Sequence, residues 1–547
     1  MERRTLLTAA AGAAATATLT ACSGAGNGAD PGSGADRTAG AAGPPTGPAP
    51  ARTTAATGAP SSAPSAPDWT ALARTLDGEL IRPGDAAYAT ARQLYNTRYD
   101  HLRPAALAYV AGEDDITECL AFARAHATPV AIRGGGHSYA GWSSGDGRLV
   151  IDVSKLASVS YGAQEARVGA GARLSDVYRT LAAHGRTVPA GSCPTVGVAG
   201  LTLGGGHGVT SRAYGLTCDN LLSATVVTAD GRRLTTDARR NTDLFWALRG
   251  AGNGTFGVVT ELRFRTHPAP TVAVARASWP WSKAETVLAA WQEWGPGQPD
   301  EIWSALHFSA DPGGSTPQVS LSVLSLGTES GLRNAVDRLA DGPGGPGPAR
   351  SVSVRSRGYH EAMLGYAGCS GLTPEQCRLP GTTPGRSPEG ALGRETYAAA
   401  SDFFDRSLPA PGRRALLSAV EAFTRLPASG GGAGSIALTA LGGAVNRVDP
   451  AATAFVHRRS RMLAQYLGAW RPAGAGGAGS PGAEQRKWLK TTHAAMRRYA
   501  SGAAYQNYAD PTLADWRSAY YGTGAERLTR LKRRYDPDRL FDFPQAL

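Results

Sequence analysis

The chain of 547 residues predicts an α+β protein of two domains. Two patterns carry that reading. Helical and strand-like runs alternate from about Trp69 to Val259. Residues 270–500 then show period-two apolar runs, such as Val319–Leu324 and Ile436–Leu441, that predict an antiparallel sheet. Helical stretches near 284–294, 331–340, 412–424 and 451–467 are expected to cover that sheet. Loops rich in glycine and proline, at 341–349, 427–434 and 472–482, separate these elements. Hydrophobic content of 42% and charged content of 18% suit a soluble globular protein.

The amino terminus is not part of that fold. Glu2, Arg3, Arg4, Thr5, Leu6 and Leu7 form a twin-arginine pattern within a targeting segment, residues 1–21. The Ala/Thr/Leu stretch that follows is too short and too weakly apolar to span a bilayer. Leu19, Thr20, Ala21 and Cys22 match a bacterial lipoprotein cleavage box, which makes Cys22 a lipid anchor; the other outcome is release of the chain. Export by the twin-arginine route, to the cell surface or the medium, is the expected location. Residues 22–67 are Ala, Gly, Pro, Ser and Thr with almost no large apolar side chain, so they read as a disordered tether.

In order along the first domain, residues 68–269, Asp115 and Glu118 suggest a capping box that opens a helix to about Ala127. Pro129–Ile132 and Leu149–Val153 read as strands, and Leu174–His184 as an amphipathic helix that Gly185 ends. Between them lie two glycine-rich loops, each with one reactive side chain. The first runs Arg133, Gly134, Gly135, Gly136, His137, Ser138, Tyr139. The second carries Gly191, Cys193, Pro194, Thr195, Val196, Gly197, Gly200 and the Gly204–His207 run. Successive glycines let backbone N–H groups converge on an anion, and Arg133 adds a fixed charge beside the first loop. A diphosphate is the natural guest.

Two motif matches fail on context. The Gly252–Gly257 segment fits G-x-G-x-x-G, but a strand, Val258–Phe264, follows where a dinucleotide site needs a helix. Gly141–Gly145 fits G-x-S-x-G without a strand–turn–helix setting. The formal charge of +12 comes from scattered arginines with no nucleic-acid motif, so nucleic acid is not an expected partner. Cys369 and Cys377 flank a short loop where a disulfide is plausible, and Cys119 and Cys218 read as buried thiols. No ligand cluster suggests a metal.

The paired loops resemble the berberine-bridge-enzyme-like flavoproteins of the vanillyl-alcohol-oxidase, or PCMH-type, FAD fold, and the likeness runs over nearly all of residues 69–547. The resemblance implies a two-part FAD-binding domain, a substrate domain at 270–500 with its antiparallel sheet under helices, and a segment, 501–547, that returns to the FAD domain. It implies FAD bound twice, with His137 on the flavin 8α carbon and Cys193 on C6. It makes Gly134, Gly135, Gly136, Ser138, Gly197, Gly200, Gly257 and Val259 cofactor contacts, and Val196 the position that governs oxygen access. His207 falls outside the attachment chemistry and reads as a structural or pocket-lining histidine.

The ending Tyr505, Asn507, Tyr508, Trp516, Tyr520, Tyr521, Gly522 matches the family's Y-x-N-Y … W … Y-Y/F-G. Buried tyrosines each need a partner for their hydroxyl, so the set is polar for a core. Asn507 is then a cofactor contact, and Tyr508 and Tyr139 are catalytic candidates, with Tyr508 first as the base. A free tyrosine has a pKa of about 10, so such a base needs a site that stabilises phenolate. Some relatives place a carboxylate on the strand before the substrate-domain Gly-Gly turn; Ile436–Leu441 carries none. The expected activity is that of an exported oxidase of a hydroxyl-bearing small molecule, a sugar or secondary metabolite, with hydride passing to flavin N5 and O2 reduced to H2O2. A monomer is expected. A dehydrogenase or oxidative-cyclisation enzyme on the same scaffold stays open. A non-catalytic surface binding lipoprotein is disfavoured by the presence of His137, Cys193, Asn507 and Tyr508.

Overall fold

A computed structural model describes residues 67–252, 254–472 and 482–547. The segments expected as an export signal and a Cys22 lipid anchor, all but the last residue of the expected tether and nearly all of the 472–482 loop lie outside those residues. The described residues build an α+β fold on three main sheets. In the first, strands run in the order Glu79–Ile81, Ala106–Tyr109, Leu149–Asp152, Val130–Arg133. Its first pair is antiparallel and the other two are parallel. Leu149–Asp152 is buried along its whole length, as a continuous Leu-Val-Ile run requires when both faces are covered. The strand Val130–Arg133 delivers the chain into the first glycine loop.

The second sheet is antiparallel, in the order Val159–Gly162, Glu165–Gly169, Val258–Arg265, Leu221–Val227, Arg233–Asp237. Val258–Arg265 is its central strand, which is why the G-x-G-x-x-G match opens no helix. The predicted capping box is corrected. The helix is Glu113–Ala125, and Asp115 lies inside its first turn rather than before it. The Asp115 carboxylate instead accepts from the backbone N–H groups of Asp77, Gly78 and Ala111, tying the start of the domain to this helix.

The third sheet has seven antiparallel strands, ordered Ser351–Gly358, Thr271–Trp279, Gln318–Ser325, Ile302–Ala310, Gly434–Ala440, Met462–Ala469, Tyr397–Phe404. Its two faces differ. Ile436, Leu438 and Ala440 pack into the core beneath the helices Ala284–Gly297, Glu329–Asp341, Ala410–Thr424 and Ala483–Arg497. Ser435, Ala437 and Thr439, which alternate with them, line a cavity on the other side. The helix expected over 451–467 does not form. Met462–Ala469 is a strand with six of eight residues buried, and that apolar run fits an interior strand covered on both faces. Cys369 and Cys377 form a disulfide, and Cys119 and Cys218 are buried.

The carboxyl-terminal helix Ala525–Tyr535 packs on the helix Thr242–Ala247. Buried Lys532 fastens it: its ammonium donates to Thr255 O at 2.8 Å, Phe541 O at 2.7 Å and Asp536 Oδ2 at 2.6 Å. Among the described residues no helix is long and apolar enough to cross a membrane.

Candidate active site

The two glycine loops meet back to back. A methyl group built on Gly135 would come under 3.0 Å from Gly197 N, and one on Gly197 equally close to Gly135 N. Only glycine at both positions allows that approach. Gly136 follows with φ +70°, a left-handed turn that aims His137 inward. Tyr95 N donates to Gly136 O and fixes the turn from outside. The second loop is held by Leu174 N on Val196 O, Ser175 N on Pro194 O, and Tyr178 OH on Gly191 O at 2.8 Å.

His137 and Cys193 both line one cavity of about 1070 Å³. The Nε2 of His137 lies 2.8 Å from Thr195 Oγ1, and its ring stacks on Tyr95 with centroids 4.1 Å apart. Burial, with the charge of Arg173, lowers its pKa to about 3, so the imidazole is neutral at ordinary pH. Gly134, Gly135, Gly136, Ser138, Val196, Gly197, Gly200, Gly257, Val259 and Asn507 line the same cavity.

Three tyrosines, Tyr139, Tyr505 and Tyr508, line the same cavity. Tyr139 and Tyr508 stack with centroids 5.2 Å apart, and Gln465 donates to the Tyr139 hydroxyl at 2.7 Å. The Tyr508 hydroxyl lies 2.8 Å from His207 Nε2. Asn507 Nδ2 donates to Leu201 O at 2.9 Å and to the Tyr505 hydroxyl at 3.0 Å, which also accepts from Gly206 N at 2.9 Å. Asn507 therefore braces the wall against the loop that bears His207. Burial pushes the pKa of both Tyr139 and Tyr508 well above the ordinary tyrosine value.

The profile described as "FAD binding domain" matches residues 104–237, and that described as "Berberine and berberine like" matches residues 504–547. An uncharacterised FAD-linked oxidoreductase of Bacillus subtilis is 30% identical over 86% of this chain and 97% of its own length. The chain belongs to the berberine-bridge-enzyme-like FAD-linked oxidoreductases. A chitooligosaccharide oxidase of Gibberella zeae is 30% identical over 83% of this chain and 89% of its own. The solved structure of the BBE-like 1 protein of Physcomitrella patens superposes with a TM-score of 0.75 at 30% identity, covering 87% of this chain and 98% of that one.

FAD fits this oxidoreductase on its own geometry. Gly134–Gly136, Gly197 and Gly257 all line the cavity, so main chain rather than side chain faces a guest there. Nδ1 of His207, a residue that lines the same cavity, is buried with no hydrogen-bond partner. Arg133 is the exception among the expected contacts. Its guanidinium turns away from the cavity into a buried ion pair with Asp152 and a 3.4 Å contact to the Tyr109 hydroxyl, so it braces the loop from below.

Two residues of this oxidoreductase have roles that sequence reasoning did not assign. His207 is wired to Tyr508; the Gly-Gly-Gly-His match to the first loop was the available signal. Glu395 lines the cavity and shares a hydrogen bond with Tyr95, the ring that stacks on His137. Burial raises its pKa to about 7. Nothing in the run Gly393-Arg-Glu-Thr-Tyr397 announces a site residue.

Proposed function

We propose that this FAD-dependent enzyme is an exported oxidase of a hydroxyl-bearing substrate, with FAD bonded to both His137 and Cys193 and O2 reduced to H2O2. The observation that carries the reading is the convergence of His137, Cys193, Tyr139 and Tyr508 on one cavity. With Nε2 engaged by Thr195, the neutral imidazole keeps Nδ1 for a bond to carbon. Gly134, Gly135, Gly136, Ser138, Gly197, Gly200, Gly257, Val259 and Asn507 would surround the cofactor, and Val196, beside Cys193 on the cavity wall, would set oxygen access. The bound cofactor supplies a two-electron acceptor for the hydrogen that leaves the substrate carbon.

The chain's own part is to hold the substrate hydroxyl against the tyrosine wall and to take its proton. The polar sheet face, with Ser322, His307, Ser435, Thr439 and Gln465, offers donors and acceptors suited to several hydroxyl groups. A chitooligosaccharide oxidase among the relatives supports a carbohydrate as that substrate. The domain division at 68–269, 270–500 and 501–547, a monomeric state and the route of the leader with its lipid on Cys22 belong to the same proposal. Peroxide release in air across a panel of oligosaccharides and alcohols tests it. Flavin bleached without oxygen by a sugar, and peroxide formed on aeration, is the expected result. Bleaching with no reoxidation by O2 would make the protein a dehydrogenase, and no bleaching by any hydroxylated substrate would end the oxidase reading.

A further inference from the structure

Tyr508 faces a difficulty as a base. Its hydroxyl is buried, and Tyr139 and Tyr505 raise its pKa further. No cation contributes to its shift. A standing phenolate is therefore disfavoured, and a proton leaving a substrate hydroxyl needs a further acceptor. The structure supplies one. The partner of the Tyr508 hydroxyl is His207 Nε2, at 2.8 Å, with the two rings edge to face at 5.7 Å.

We propose that His207 is the terminal proton acceptor of the oxidation, receiving through Tyr508 the proton of the substrate hydroxyl. The inference rests on the oxidase reading above. As the carbon-bound hydrogen leaves with its electron pair to the oxidant FAD, the substrate O–H bond breaks and that proton bonds to the Tyr508 oxygen. The proton Tyr508 already held moves to His207 Nε2, and the imidazole becomes imidazolium. Tyr508 ends neutral, as it began. His207 acts through Tyr508 and is a positioning residue.

The surroundings of His207 suit that task. The titratable groups facing it are Tyr505, with centroids 5.4 Å apart, and Tyr508. Burial lowers its pKa, to about 4, so it is unprotonated throughout the neutral range. For Nε2 to accept, the resting proton must sit on Nδ1. That atom is buried and has no hydrogen-bond partner in the structure, so its protonation is what the first measurement below reads. The backbone locks the ring: Gly205 and Gly206 take φ +119° and +80°, and Tyr505 OH clamps Gly206 N.

Two measurements on the holoprotein decide the matter. Nitrogen-15 spectra of histidine-labelled protein at pH 7, with the His207 signals assigned by their loss in His207→Gln, should show Nδ1 protonated and Nε2 bare. A protonated Nε2 would overturn the proposal, whatever the substrate. For the second, anaerobic flavin reduction by any substrate that bleaches the wild type is timed in His207→Gln, Tyr508→Phe and the double variant. Both single changes should slow reduction by about 10²–10⁴-fold, and the double change by no more than about threefold beyond the slower single. In His207→Ala, added imidazole should restore part of the rate. A His207→Gln enzyme within about threefold of wild type, or fully additive losses, would overturn the proposal. Failure of every substrate to bleach the wild type would count against the oxidase reading alone, and the nitrogen spectra would still decide the tautomer.

Discussion

Gly135 and Gly197 pack backbone against backbone, and that single contact sets the spacing of the loops that carry His137 and Cys193. Alanine at either position forces the loops apart, because the atoms met are main-chain nitrogen and carbon that no rotamer change can move. Gly135→Ala and Gly197→Ala should each cost about 1–3 kcal/mol of stability, the usual range for overpacking. They should also lower the flavin carried per polypeptide. The ratio of flavin to protein absorbance, read beside the thermal midpoint, checks both effects. Gly162→Ala, at a strand end where a methyl would meet nothing and φ is not left-handed, is the control for loss of glycine itself.

Glu395 should give the enzyme a pH signature. Its pKa rises from 4.5 to about 7 in the folded protein, through burial. The folded state thus binds a proton that the unfolded state has released, and stability falls as pH rises from about 4.5 through about 7. Glu395→Gln, which keeps the hydrogen bond to Tyr95 and cannot ionise, should remove that fall. The difference in thermal midpoint between wild type and variant, followed from pH 4.5 to 7, is the measurement. A difference that does not change with pH would contradict the assignment.

A buried ion pair couples the loop region to the third sheet. Arg458, fully buried, meets Asp219 in a two-pronged contact at 2.6 and 2.9 Å. Asp219 also accepts from Leu216 N, and Arg458 from its other edge donates to Phe455 O and Thr453 Oγ1. Asp219→Ala strands the guanidinium and should cost about 3–5 kcal/mol in a denaturant titration. Changing both residues to apolar ones of similar volume should recover much of that loss.

The disulfide between Cys369 and Cys377 closes a short loop, with a sequence separation of 8. Loop-closure entropy for that length is worth about 2.5 kcal/mol. Cys369→Ser with Cys377→Ser should lower stability by about that much, with the visible flavin spectrum unchanged. Denaturant unfolding of the oxidised, reduced and doubly substituted proteins checks it.

Where local rules and the final environment agree, the structure follows the sequence. Leu174–Ala182 forms as its amphipathic spacing requires, and Gly185 takes φ +66° just beyond it. Gln318–Ser325 and Gly434–Ala440 alternate between core and cavity as period-two strands do. The misses have physical causes. Met462–Ala469 carries few polar residues to set a period, so only its neighbours in the sheet decide that it is extended. Asp115 has the composition of a cap, but its carboxylate serves backbone groups 37 and 38 positions away, which no local window contains. Arg133 was expected beside the diphosphate because charge was read without direction. Its partner, Asp152, lies on the neighbouring parallel strand. His207 could be found by its glycine setting, but its bond to Tyr508 spans 301 positions and belongs to the fold.

The central claim is that the flavin is bonded to the polypeptide from both loops. Peptide mass analysis of natively produced holoprotein, covering His137 and Cys193, tests it most directly. The account predicts one cross-linked species in which both peptides carry a single FAD, with the His137 peptide alone gaining FAD in Cys193→Ala. Recovery of unmodified peptides at both positions, from protein that is yellow before denaturation, would contradict it.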